Sequence, residues 1–64
     1  MEHEIEYGEL LTPSKTAEIL GVSEATLASW RMRKIGPKYI KMEGTIRYTD
    51  RHIKSYLVSR EIGK

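Results

Sequence analysis

The residues of this chain suited to act on a partner gather in three short stretches. Over 24–33, taken as a helix at ~100° per residue, Ala25, Ala28, Ser29 and Met32 fall opposite Leu27 and Trp30, with Arg31 and Arg33 at the margins. Such a face suits the major groove of DNA, which admits one helix and is read by outward side chains. Ala25, Ala28 and Ser29 let the backbone approach closely. Ser29 can bond a base or a phosphate, Met32 can touch a thymine methyl, and Glu24 can accept from a cytosine amine. Arg31 and Arg33 suit guanine or phosphate. The plain alternative is a solvated helix face, but a face of alanines with one methionine is less polar than that reading expects. The second stretch, Lys34, Lys38, Lys41 and Arg47, offers phosphate contacts that give affinity and salt dependence rather than sequence. Solubilising edge charge is its alternative. The third, Ser14 and Lys15 at a helix N-terminus, can hold a further phosphate.

Other chemistry has little to work with. There is no cysteine, hence no disulfide or thiolate metal site, which fits a reducing compartment. His3 and His52 lack metal-ligand spacing with any carboxylate or thiol. Tyr48 and Tyr56 are core candidates rather than nucleophiles. The sequence predicts no catalytic residue, no metal, no cofactor and no enzymatic activity. No apolar run approaches ~18 residues, and the acidic N-terminal stretch has no h-region, so neither a membrane span nor a signal peptide is expected. The net charge is +2, but Glu2, Glu4, Glu6 and Glu9 stand without Lys or Arg in residues 1–9, leaving +6 on residues 10–64. A basic body of this size suits a polyanion partner, or is an ordinary soluble surface.

Sixty-four residues make one domain, in which nearly every large apolar side chain is needed for folding. Residues 1–9 read as an acidic, flexible tail and 10–64 as the folded domain. Thr12 caps a first helix with Pro13 at its first position, and Gly21 ends it, giving Pro13–Leu20. Leu11 can staple onto Thr16 or Ala17, and Ala17, Ile19 and Leu20 form the apolar side. Ser23 caps a second helix that ends near Arg33 or Lys34, before Gly36-Pro37. Parity then suggests a hairpin pairing Met42 with Ile46 and Ile40 with Tyr48, around a three-residue loop Glu43-Gly44-Thr45. Ile40, Met42, Ile46 and Tyr48 would face the helices, and Tyr39, Lys41 and Arg47 would form a basic outer face. Thr49 or Asp50 caps a third helix with an Ile53, Tyr56, Leu57 stripe, Arg60 at its edge and Val58 outside it. The fold class is mainly α with a small β-hairpin, in the order helix-helix-strand-strand-helix.

Leu11-Thr12-Pro13, Ala17-Glu18-Ile19-Leu20-Gly21-Val22-Ser23, Thr26-Leu27, Trp30-Arg31, Gly36-Pro37-Lys38-Tyr39, Lys41, Arg47-Tyr48 and Asp50 resemble the winged helix-turn-helix of small excisionase-like proteins. The same architecture is similar to the DNA-binding part of MerR-type regulators and of AlpA-type phage activators. The resemblance covers about Leu11 to Leu57. It implies a cytoplasmic, bacterial or phage-encoded protein that binds double-stranded DNA, with the second helix in the major groove and the hairpin as a wing. It further implies a recombination directionality factor that binds tandem sites, bends DNA and steers a site-specific integrase, with cooperative self-contacts on DNA. A small transcription regulator of the same fold is the alternative. A protein-interaction module using the acidic tail and Val58 is the alternative from another class. The Glu43-Gly44-Thr45 tip departs from the family, whose tips carry basic residues after glycine.

Overall fold

The computed structural model describes residues 8–63. Their order is β1 (Leu10–Leu11), α1 (Pro13–Leu20), α2 (Glu24–Arg33), β2 (Ile40–Met42), β3 (Thr45–Thr49) and α3 (Asp50–Arg60). Three helices thus accompany one three-stranded antiparallel sheet of order β1-β3-β2. Residues 1–7, most of the expected acidic tail, lie outside the described residues. Its last residue, Glu9, is tied to the head of α3: its N–H donates to Asp50 Oδ2 at 3.3 Å, and its carbonyl accepts from the Asp50 N–H at 3.3 Å.

All three helices begin on a hydroxyl. Thr12 Oγ1 accepts from the Lys15 N–H at 3.1 Å, Ser23 Oγ from Thr26 at 3.0 Å, and Thr49 Oγ1 from His52 at 3.0 Å. Each bond satisfies an N–H that the helix itself leaves without a partner. α1 and α2 end alike. Val22 donates to the Ala17 carbonyl at 3.0 Å and Gly21 to Glu18 at 3.3 Å, while Ile35 donates to Trp30 at 2.9 Å and Lys34 to Arg31 at 3.2 Å. This paired closure requires a left-handed residue. Gly21 supplies it at φ 72° without steric cost, whereas Lys34 adopts it at φ 59° against its own Cβ.

Leu11, Ala17, Leu27, Tyr48 and Ile53 form the core, with Leu20, Val22, Trp30 and Ile46 packed around it. Leu11 is therefore part of the same cluster as Ala17, which it was expected to staple. It does so as a strand residue. Leu10 pairs with Thr49 and Leu11 with Tyr48, an element absent from the expected order of helix-helix-strand-strand-helix. Alternation turns Leu11 inward and leaves Leu10 exposed. Ile19, expected on the apolar side of α1, is instead 49% exposed, and Leu57 of the α3 stripe is 47% exposed.

The hairpin register also differs from expectation. Ile40 pairs with Arg47, Lys41 with Ile46 and Met42 with Thr45, so the loop is the two residues Glu43-Gly44. Both take positive φ, 35° and 83°. That turn matches the right-handed strand twist, and it outweighs the gathering of four apolar side chains on one face. The one-residue shift moves Ile40 and Met42 to the face away from Tyr48. Lys41 and Arg47 now lie on opposite faces, so the expected basic outer face of Tyr39, Lys41 and Arg47 does not form.

Candidate nucleic-acid interface

α2 is anchored to the rest of the fold along one face. Leu27 is fully buried. Trp30, one turn on, meets Tyr56 of α3 with ring centroids 5.9 Å apart. Gly36 lies over the same indole: at φ 87° its backbone comes so close that a Cβ there would stand 2.7 Å from a ring carbon. The neighbouring Pro37 is buried. The helix and the chain leaving it are thereby fixed to one another.

The opposite face is open. Glu24, Ala25, Ser29 and Arg33 are exposed, Met32 is 84% exposed, and Ala28 is half-buried. Five of the seven residues expected to read bases are therefore exposed, and Ala28 is so in part. Arg31 is the exception. Its Nη1 donates to the Tyr48 hydroxyl at 2.8 Å, and its guanidinium stands 5.8 Å from the centroid of the Tyr39 ring. Tyr39 in turn packs on Tyr48 at 6.1 Å. Arg31 is thus half-buried at the junction of α2 with the sheet, not at the margin of the open face. Its position follows from the chain: it is one turn beyond Leu27, ~40° from it on the helical wheel.

The phosphate candidates are dispersed. Lys34 and Lys38 are exposed at the end of α2 and in the connection beyond it, and Lys41 is exposed on β2. From Ala25 to Met42 the chain carries Arg31, Arg33, Lys34, Lys38 and Lys41 and no carboxylate. Lys15 pairs with Glu18 at 3.7 Å, an exposed pair of small energetic weight, beside an exposed Ser14. Arg47 is half-buried and donates to the Ile46 carbonyl at 2.8 Å, which leaves it less available than the lysines. Glu43 places a carboxylate at the hairpin tip.

No family model, curated protein or solved structure matches the chain.

Tyr39, expected on the hairpin's outer face with Lys41 and Arg47, instead stands against Arg31 and Tyr48. The Glu43-Gly44 turn sets Tyr39 opposite Tyr48 and makes it the outer plate of the Arg31 clamp. The signal for it was the turn dipeptide, since two residues of that kind fix the register of everything behind them. Among the described residues, no group of three His, Cys, Asp or Glu is placed to hold a metal ion, and no helix is long and apolar enough to cross a membrane.

Proposed function

We propose that this chain is a non-catalytic, sequence-specific binder of double-stranded DNA with a winged helix-turn-helix architecture, α2 being its major-groove helix. The observation that carries the reading is the division of α2 into two faces. One is clamped to the core through Leu27, Trp30 and Arg31, and the other is open, small and flanked by a chain segment of cations without acids. Ten residues give α2 a length of about 15 Å, comparable with a groove ~12 Å wide. Ala25, Ala28 and Ser29 allow close approach, while Met32 and Arg33 extend furthest toward base edges. Glu24, at the start of the helix, meets a cytosine amine or selects against a phosphate there.

Lys34, Lys38 and Lys41 provide the phosphate contacts, with Ser14 and Lys15 as a further contact at the start of α1. The hairpin is the wing. With an acid at its tip and Arg47 turned to its own backbone, it contributes through Lys41 on its flank rather than by inserting its end into a minor groove. In biological role the resemblance favours a recombination directionality factor that bends attachment-site DNA for an integrase. A transcription regulator would use the same surface.

The test is selection from randomised duplexes followed by titration with wild type and Arg33→Ala. Loss of about 1–3 kcal/mol confined to one base position marks base readout by Arg33, and a uniform loss marks a phosphate contact. Failure of the wild type to enrich any sequence would remove the proposal. A bending assay on the enriched site, with and without an integrase, separates the recombination role from the regulatory one.

A further inference from the structure

The C-terminal half of α3 carries a face left exposed among the described residues. Leu57 is 47% and Val58 58% exposed, side by side on the turn beyond Tyr56. Lys54, one turn earlier, and Glu61, at the end of the helix, are exposed on the same side by their i, i+3, i+4, i+7 spacing. Neither charge has an ion-pair partner among the described residues. The four side chains span about 10 Å of helix axis, two turns, with the apolar pair in the middle and opposite charges at the ends.

That arrangement is self-complementary. A twofold axis between Leu57 and Val58, with two α3 helices antiparallel, sets Lys54 of each copy against Glu61 of the other and Leu57 against Val58. Twofold interfaces have this property of pairing a patch with itself. A head-to-tail contact would leave the charge pattern unmatched. We propose that this face is an isologous contact between two copies of the chain, formed by antiparallel α3 helices. It uses none of the residues assigned to DNA and does not depend on that reading. A protein of another sequence would need its own matching order of base, two apolar residues and acid, whereas a second copy supplies it by symmetry.

Sedimentation equilibrium tests the pairing, run up to about 1 mM because one short helix pair lies at the weak end of interface sizes. Wild type is expected to show a mass rising toward that of a dimer. Lys54→Glu and Glu61→Lys each set two like-charge pairs across the axis, and each is expected to weaken association about tenfold or more. Mixed in equal amounts, the two variants regain both unlike pairs and are expected to associate at least as well as wild type. Lys54→Glu lowers the formal net charge from +2 to zero, so the mixture gains no overall attraction. Leu57→Ser, with α3 shown intact by circular dichroism, is expected to be monomeric. A wild type that stays monomeric throughout, charge variants that associate like wild type, or a mixture that does not recover would each overturn the proposal.

Discussion

The Arg31 clamp separates a structural arginine from a DNA-reading one, and its energetics can be worked from the geometry. Tyr48 is 1% exposed and its hydroxyl accepts from the half-buried Arg31 guanidinium at 2.8 Å. Hydrogen bonds to a charged group contribute about 1.5–3 kcal/mol. Because Arg31 stays partly in water, Tyr48→Phe lets the guanidinium rehydrate, and the expected loss is at the low end, about 1.5 kcal/mol. Arg31→Ala leaves the buried Tyr48 hydroxyl without its donor and removes the cation from the Tyr39 ring, so about 2–3 kcal/mol is expected. The double variant should cost no more than Arg31→Ala alone, a coupling of about 1–2 kcal/mol in a double-mutant cycle. A domain of this size is worth roughly 3–5 kcal/mol in all, and each kcal/mol moves its melting temperature by about 4–8 °C. The assay is urea unfolding followed by Trp30 fluorescence, paired with DNA titration at a temperature where every variant is folded. Additive losses, or an Arg31→Ala that keeps its stability while losing DNA binding, would refute the assignment of Arg31 to the fold.

Other outcomes follow from single features. Gly36→Ala should destabilise by about 2 kcal/mol or more, since it combines a positive φ with a Cβ 2.7 Å from the indole, and the Trp30 emission should shift with it. Lys34→Gly should raise stability by up to about 1 kcal/mol by relieving the left-handed lysine, yet reduce the salt slope of DNA binding by about one. Thr16 is fully buried and its hydroxyl has no hydrogen-bond partner among the described residues, so Thr16→Val should stabilise by about 1 kcal/mol in thermal melts.

What could be read from the chain was what is decided locally. Thr12-Pro13 and Gly21 bound α1 through contacts within a few residues, and α1 runs as expected from Pro13 to Leu20. Ser23 and Thr49 act in the same way. The hairpin was less legible because two principles competed. Apolar parity favoured one register and the Glu43-Gly44 turn the other, and a one-residue slip reverses every face. β1 is two residues long, too short for alternation to show, and it exists only because β3 offers an edge to it, Leu10 pairing with Thr49 and Leu11 with Tyr48. The open face of α2 was visible in its alanines. Arg31 was misplaced because its charge suggested solvent, while its spacing from Leu27 placed it toward the sheet. The distinction mattered: an arginine inside a domain can look from sequence like one that touches a ligand.

Chemical-shift mapping with a duplex chosen by selection tests the central claim most directly, because it reports every residue at once. Shifts are expected to concentrate at Ala25, Ala28, Ser29, Met32 and Arg33, with smaller ones at Lys34, Lys38 and Lys41. Leu27 and Val58 should remain unmoved, and log affinity should fall with log salt at a slope of about −3 to −5. Shifts confined to α3, or binding indifferent to salt, would contradict it.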